Sequence, residues 1–434
     1  MHQQPQTSKI LQSESHLHLY GCLDAKSVWS VSQDRAAKFA DRFQWFLGEY
    51  ERATGVTINP KRWWDDNDAF ETFKEQFICG HAVSFDVFQA KFNLLIALFP
   101  PTPSDMWLAN ETFKTHAKSS GFKEYRTFLP LYLPKPDRAA YLKRVIETAA
   151  SHESADYHPR IAISFMRKNT EAWENYRFLC EFLENHPDLA PWITGIDFCA
   201  SERGHPPSAK KQLFEQIHAD NQKRKFPIEI LYHVGEMWQD ISIASAARWC
   251  AEAAQLGAHR LGHALALGMN CDVLRGRKIC ESAHETEQHF AWIRANGSAL
   301  HEFGFTPIDY EWLRDQAESS KQEHYVEWVY NDDLIENTRI FQDAALTVVR
   351  EIGPIVESCP TSNMRIGSLH SPSQHPLRRF LDHRLKVTIS TDDPGIFDVS
   401  LADEEINVLS HFAVSADELA TMESRTRRIF ETRS

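Results

Sequence analysis

The stretch PIEILYHVGE at residues 227–236 is a short apolar run that ends in a histidine and a glutamate. Six apolar-rich residues are too few for an ordinary helix, and their continuous apolar character favours a buried strand. His233 and Glu236 follow directly where this strand would end. The stretch therefore predicts a core strand that carries chemically active side chains at its carboxyl end.

The same pattern recurs along the whole chain. Seven further strands are predicted at residues 13–19, 121–128, 160–166, 192–198, 258–262, 353–358 and 385–390. Between them lie amphipathic segments, such as 207–225 and 242–257, that predict helices. Buried strands alternating with helices are typical of an α/β protein with a parallel sheet. Eight such strands with polar carboxyl ends predict a closed (β/α)8 TIM barrel. The alternative is an open doubly wound sheet, but no glycine-rich phosphate-binding motif supports it.

Two long segments interrupt the alternation within what we predict to be a single domain over residues 1–434. They lie at about 24–120 and 268–345, and we expect them to be helical insertions after strands 1 and 6. The first contains apolar residues at helical spacing that would pack in the core or line a substrate pocket, namely Phe85, Phe88, Phe92 and Leu95.

Composition narrows the classes of partner. The 434 residues carry a net charge of −13, and a phosphate backbone would be repelled by that average field. We therefore expect a small-molecule substrate and no nucleic-acid partner. The longest apolar stretch, 92–99, is too short to span a membrane, and residues 1–10 lack the apolar core of a signal peptide. With eight scattered cysteines and no C-x-x-C pair, these features indicate a cytoplasmic protein with reduced thiols.

His16 and His18 lie two residues apart at the end of the first predicted strand. Alternate strand residues face the same side, so both imidazoles would point into the barrel mouth. Paired imidazoles suit Zn²⁺, which binds nitrogen and oxygen ligands. A pair of core or surface histidines is the alternative explanation for this motif on its own.

Three other strand ends carry comparable groups. His233 and Glu236 end the fifth strand, His263 ends the sixth, and Asp392 and Asp393 end the eighth. Two adjacent carboxylates are costly to bring together without a cation or a shared proton. Because the carboxyl ends of barrel strands meet at one face, these groups and the histidine pair could form a shell of three histidines and one carboxylate with room for water.

These motifs together resemble the adenosine deaminase family of the amidohydrolase superfamily. The resemblance covers nearly the whole chain, in the family's order, at residues 16–23 (HLHLYGCL), 124–126 (EYR), 165–167 (FMR), 195–202 (GIDFCASE), 233–236 (HVGE), 260–265 (RLGHAL), 359–363 (CPTSN) and 390–397 (STDDPGIF). It implies a zinc-dependent hydrolase that removes ammonia from adenosine or a related 6-aminopurine nucleoside or base. It also implies one zinc per chain, held by His16, His18, His233 and Asp392.

The resemblance implies roles for the remaining residues as well. Glu236 would donate a proton to the purine ring, and His263 would orient and deprotonate the attacking water together with Asp392. Asp393 would contact the N7 edge of the ring, and the backbone near Ala200 would contact its N3 edge. The chemistry fits independently, since zinc makes water acidic and a buried carboxyl group has a raised pKa.

Three departures from the family pattern bear on the substrate. The resemblance also implies that His18 and Tyr20 contact the substrate. Tyr20 stands where the family usually has an acidic residue. Ala200 replaces a usual glycine, and the segment from His263 to Asp392 is longer than the family norm. We expect Tyr20 to continue the strand of His18 to the pocket rim and to disfavour unmodified adenosine.

Two other functions remain open from sequence: a hydrolase of amides or esters on the same scaffold, and an inactive purine-binding protein. HETEQH at 284–289 has a spacing of five between its histidines, which does not match a metalloprotease helix. The cytidine deaminase motif is absent.

We expect Arg126 and Arg167 to be structural ion-pair partners, with contact to a substrate anion as the alternative.

Overall fold

The computed structural model describes residues 9–431, apart from 239–240, 305–324 and 368. Its strands, in chain order, are β1 (Glu14–His18), β2 (Gly121–Phe128), β3 (Tyr157–Met166), β4 (Ile193–Cys199), β5 (Glu229–Val234), β6 (Arg260–His263), β7 (Lys278–Ser282), β8 (Tyr325–Val329), β9 (Ile355–Ser358) and β10 (Lys386–Ile389). All except β7 and β8 form one parallel sheet in the order β1-β2-β3-β4-β5-β6-β9-β10.

The two outer strands of this sheet meet through backbone contacts. Leu17 pairs in parallel with Asp392, just beyond the end of β10. The His18 N–H donates to the Asp392 carbonyl at 3.0 Å, and the Asp392 N–H donates to the His16 carbonyl at 3.2 Å. The sheet is therefore closed into a (β/α)8 barrel, as predicted, and each predicted strand overlaps an observed one.

Helices cover the outside of the barrel. The α-helices of the described residues span Ala25–Lys38, Ala40–Thr54, Ala69–Phe77, Phe85–Leu98, Trp107–His116, Lys135–Ser151, Asn169–Asn185, Lys211–Asn221, Ile243–Gln255, Ala283–Ala295, Gly297–Glu302, Asp332–Ile352, Pro360–Ile366, Leu377–Asp382, Pro394–Phe397, Leu401–His411 and Ala416–Glu431. None of them is long and apolar enough to cross a membrane.

The first insertion brings the helix Phe85–Leu98 to the barrel. Ser84 begins this helix, because its hydroxyl accepts a hydrogen bond from the Val87 N–H at 3.3 Å. Phe88 then stacks on Phe397, which follows β10, with ring centroids 5.5 Å apart. The aromatic stripe thus packs against the carboxyl-terminal end of the barrel.

The second insertion contains strands as well as helices. β7 and β8 form an antiparallel pair in which Ile279 lies opposite Trp328, and both of these side chains are buried. Their neighbours alternate between exposed and buried, which is the period of a strand. We did not predict these strands, although KICES and YVEWV carry that alternation.

The HETEQH motif lies on the helix Ala283–Ala295 that follows β7. His284 is exposed and His289 is buried, so the two rings face different sides of the helix. The motif therefore does not form a metalloprotease pair.

Buried charges fill the interior of the barrel. Arg126 on β2 is ion-paired with Glu357 on β9 and lies 3.4 Å from Asp197 on β4. Arg260 on β6 donates to the same Glu357 and to Glu124, both at 2.7 Å. Arg126 is therefore a structural ion-pair partner, as predicted.

Candidate metal and active site

Four side chains converge at the carboxyl-terminal mouth of the barrel. His16 and His18 come from β1, His233 from β5, and Asp392 from the residue pair after β10. His16 Nε2 and His233 Nε2 are 3.0 Å apart, and His18 Nε2 lies 3.3 Å from the same His233 atom. Asp392 Oδ1 lies 3.4 Å from His16 Nε2 and 3.3 Å from His18 Nε2.

The spacing of these four atoms fits a tetrahedral metal ion. Zinc–ligand distances of about 2.0–2.1 Å place neighbouring ligand atoms about 3.3–3.4 Å apart. Asp392 Oδ1 is also buried and has no hydrogen bond within the described residues. A buried carboxylate oxygen facing three imidazole nitrogens is costly unless a cation compensates it. The residues present therefore fit a divalent metal.

Two carboxylates contact the candidate ligand histidines at Nδ1, the ring nitrogen that faces away from the metal position. Asp197 Oδ1 on β4 lies 2.8 Å from His233 Nδ1, and Glu357 Oε2 lies 3.2 Å from His16 Nδ1. A proton on Nδ1 leaves the Nε2 lone pair free to face the metal position. We assigned no role to either carboxylate from sequence, although an acidic residue within a fully buried strand was a usable signal.

The surroundings of His16 favour the neutral imidazole that metals bind. Burial lowers its pKa, and the neighbouring Arg126 lowers it further. Arg126 Nη1 lies 2.9 Å from His16 Nε2, so the guanidinium borders the metal position. Because metal ligation requires a deprotonated imidazole nitrogen, this environment favours binding at neutral pH.

Asp197→Asn should weaken metal binding without removing a ligand. The amide can no longer accept from His233 Nδ1 as a carboxylate does, and loss of such outer partners typically costs about 10–100-fold in metal affinity. Metal affinity measured by competition with a chelator checks this. The matched control is Asp220→Asn, which alters a carboxylate bonded to Tyr176 outside the site. Unchanged metal affinity in Asp197→Asn would contradict the assigned role.

A second cluster borders the metal ligands. His263 Nε2 lies 3.5 Å from Glu236 Oε1, and Asp392 completes the group. His263 Nδ1 lies 2.8 Å from Asn363 Oδ1, which fixes the plane of the imidazole ring. His263 Nε2 therefore faces the cavity beside the metal ligands, where it can accept or donate a proton.

Glu236 lies on a turn that Glu202 organises. The Glu202 carboxylate accepts hydrogen bonds from the N–H groups of Gly235 at 2.8 Å, Glu236 at 3.0 Å and Met237 at 3.0 Å. Burial raises the pKa of Glu236 to about 7, with His263 opposing and Asp392 reinforcing the shift. Glu236 is thus suited to carry a proton at neutral pH.

Asp393 is packed against the backbone of the first strand end. A Cβ on Gly21 would lie 1.7 Å from Asp393 Oδ1, so only glycine leaves space for this carboxyl group. Asp393 Oδ1 is buried and has no hydrogen bond within the described part of the chain. Burial, reinforced by the Asp392 charge, raises the pKa of Asp393 well above its usual range. A protonated Asp393 could donate to a ligand.

Three of the four candidate ligands, together with Glu236, His263 and Asp393, line one cavity of about 450 Å³. Its inner end is polar and is formed by His18, Ala200, His233, Glu236, His263, Asp392 and Asp393. Its outer part is lined mainly by apolar side chains from the helix Phe85–Leu98 and from the segment that follows β2. A single pocket thus joins a metal position, acid–base groups and an apolar mouth, as small-molecule sites commonly do.

Residues 333–428, which contain Asp392 and Asp393, match the adenosine deaminase family model. Over this segment the chain is similar to the adenosine deaminase family. An aminodeoxyfutalosine deaminase from Acidothermus cellulolyticus is 41% identical over 61 residues, covering 14% of this chain and 17% of that protein. An adenine deaminase from Rhizobium johnstonii is 34% identical over 104 residues, covering 21% of this chain and 31% of that protein. The chain therefore spans about a sixth to a third of the length of these relatives.

Solved structures of low identity share the fold over almost the whole chain. Arabidopsis ADAL, solved in complex with IMP, is 15% identical with a TM-score of 0.57, covering 98% of this chain and 96% of that one. An amidohydrolase from Burkholderia ambifaria with bound zinc is 16% identical with a TM-score of 0.53, covering 96% and 84%. These similarities confirm the barrel architecture.

Three strand-end residues adopt left-handed backbone conformations. The φ angles are 68° at Ala200, 62° at His263 and 67° at Asp392. The family's usual glycine at position 200 adopts this conformation without the steric cost that a Cβ adds. Here Arg167 Nε donates to the Ala200 carbonyl at 3.0 Å and helps to hold the turn. We predicted a structural ion pair for Arg167. In the structure Arg167 instead stabilises this turn by donating a hydrogen bond to the Ala200 carbonyl.

Tyr20 does not lie at the pocket rim, and that prediction is wrong. The strand ends at His18, and Leu19–Cys22 form a 3-10 turn that changes the direction of the side chains. Tyr20 is buried outside the residues that line the cavity, and its hydroxyl is hydrogen-bonded to Tyr141. Its ring packs edge-on against Phe128 at 6.2 Å. Tyr20 therefore packs against Phe128, which lines the cavity, and does not line the cavity itself.

Proposed function

We propose that this protein is a metal-dependent hydrolytic deaminase of adenosine or a related 6-aminopurine nucleoside or base, and that it releases ammonia. The observation that carries the proposal is the meeting of a four-ligand metal position with Glu236, His263 and Asp393 at the inner end of one cavity. The relatives named as deaminases support the reaction class. We also propose that the protein is cytoplasmic.

We propose that His16, His18, His233 and Asp392 hold one zinc ion. The mixed nitrogen and oxygen ligands and their separations support zinc, as does the zinc-containing amidohydrolase of the same fold. When bound, such an ion makes water acidic enough to provide a nucleophile at neutral pH.

His263 would take the proton from the attacking water. Its Nε2 faces the cavity next to Asp392, while Asn363 holds its Nδ1. The water oxygen forms a bond to C6 of the purine, and the bond from C6 to the exocyclic nitrogen later breaks. The proton collected by His263 can then be delivered to the departing ammonia. The fixed ring orientation supports this role because proton transfer requires a positioned donor and acceptor.

Glu236 would deliver a proton to N1 of the ring as water adds to C6. Its raised pKa keeps a proton available at neutral pH. Asp393, whose pKa is also raised, would donate to the N7 edge, and the Ala200 N–H would donate to the N3 edge. Three donors on three sides of a flat heterocycle fit a purine better than an amide or ester.

The test combines metal analysis with an ammonia-release assay. Purified protein should contain about one zinc per chain, and the zinc-loaded protein should release ammonia from adenine, adenosine or a substituted 6-aminopurine. Simple amides and esters serve as the comparison set. Turnover of amides or esters without ammonia release from any aminopurine would overturn the proposed reaction.

A further inference from the structure

We propose that Ala200 restricts the substrate to 6-aminopurines that carry only hydrogen at C2, because its methyl group occupies the space where a C2 substituent would lie. The inference rests on the proposed deaminase function and specifies its substrate class. It comes from the contacts that hold the ends of β4 and β5 together beside the metal position.

C2 of the purine lies between the two ring nitrogens that the proposed complex assigns to β4 and β5. N1 faces Glu236, which follows β5, and N3 faces the N–H of Ala200, which follows β4. These strands are neighbours in the barrel, with Phe198 paired to Tyr232. A substituent on C2 would therefore point at the junction between the two strand ends.

Two buried charged side chains close this junction. Arg167 donates to the Ala200 carbonyl at 3.0 Å and to the His233 carbonyl at 2.6 Å, so it joins the residue after β4 to β5. Glu202 accepts hydrogen bonds from the N–H groups of three successive residues after β5, 235–237. Hydrogen bonds to charged groups are strong inside a protein, so the two strand ends are held against separation around a larger ligand.

Ala200 adds a methyl group to this closed junction. The residue is half-buried and lines the cavity together with the buried Cys199. Its φ angle of 68° is in the left-handed region, where glycine avoids the steric cost of a Cβ. Glycine, which the family usually has here, would leave the volume of the methyl group free. A substituent on C2 would compete for that volume, and extra atoms in a filled site cause strain.

Binding of unreactive products tests the inference without relying on turnover. We would titrate zinc-loaded protein by calorimetry with hypoxanthine and inosine, and with the 2-methyl derivative of each. Because overfilling a packed site is costly, each 2-methyl compound should bind at least about tenfold more weakly than its parent. The kcat/KM for ammonia release should fall by a similar factor from adenine or adenosine to its 2-methyl derivative.

Paired glycine variants link the effect to the Ala200 methyl group. Ala200→Gly should fold, since glycine suits the left-handed backbone, and should reduce the 2-methyl penalty to about threefold or less. Ala413→Gly is the matched control, because Ala413 also has a left-handed φ, 53°, and its carbonyl accepts from Arg378 at 2.9 Å. Ala413 is exposed and lies outside the cavity lining, so its variant should keep the full penalty.

Equal affinities of parent and 2-methyl compounds, or a penalty that persists in Ala200→Gly, would overturn the inference. The proposed function would survive either result if adenine or adenosine still released ammonia. If no aminopurine released ammonia and neither hypoxanthine nor inosine bound, both the function and this inference would be wrong.

Discussion

His16→Ala is expected to lose metal and deaminase activity together, with activity falling by about 10³-fold or more. A catalytic metal supplies several kcal/mol of transition-state stabilisation, and each 1.36 kcal/mol corresponds to a tenfold change in rate. His16 contributes one of four converging ligand atoms and also contacts Glu357 and Arg126. The measurements are metal content by mass spectrometry and ammonia release after dialysis against zinc.

The control for this variant is His116→Ala. His116 is a half-buried histidine with Nδ1 hydrogen-bonded to the Tyr125 hydroxyl at 2.8 Å, and it lies outside the ligand cluster. It should retain its zinc. A fully metallated and active His16→Ala protein would remove His16 from the proposed ligand set and with it the assignment of the site.

Glu236→Gln is expected to keep zinc and the fold while losing turnover by about 10²–10⁴-fold, the usual contribution of a general acid or base. The amide is nearly the same shape as the carboxyl group but cannot donate an acidic proton to the ring. The backbone of Glu236 remains tied to Glu202, so the turn should be preserved. Single-turnover ammonia release and metal content, measured on the same sample, separate chemistry from metal loss.

A matched control is Glu174→Gln, which alters an exposed carboxylate paired with Arg138. It should turn over at the rate of the unaltered protein. If Glu236→Gln also kept near-normal turnover, Glu236 would not be the proton donor, and the proposed deamination chemistry would need a different acid.

The barrel was predictable because burial in a parallel sheet leaves a local pattern. A strand covered on both sides is apolar at most positions, and β3, β4 and β5 carry such runs in sequence. The convergence of the four candidate ligands was predictable for a similar reason, since a barrel places the carboxyl ends of all its strands at one face. β7 and β8 were harder to predict because they are short and exposed on one side.

Residues that position other residues of the site are harder to recognise from sequence patterns. Asp197, Glu202 and Glu357 each hold a ligand or a turn from a different strand or loop. Sequence spacing does not reveal which histidine a buried carboxylate will contact, since that depends on the registers of neighbouring strands. The sequence supplied a candidate acid at each position but not its partner.

The sequence alone determined the fold class and which side chains converge at the barrel mouth, because both follow from periodic burial and from residues fixed to strand ends. Only the tertiary structure decided the direction of Tyr20 and the character of the substrate pocket. Tyr20 turns away because the chain leaves the strand after His18 and forms a 3-10 turn. The apolar wall comes from a helix, Phe85–Leu98, that the fold brings over a barrel mouth built from distant strands. Contacts between such remote segments depend on packing in three dimensions, and no local pattern encodes them.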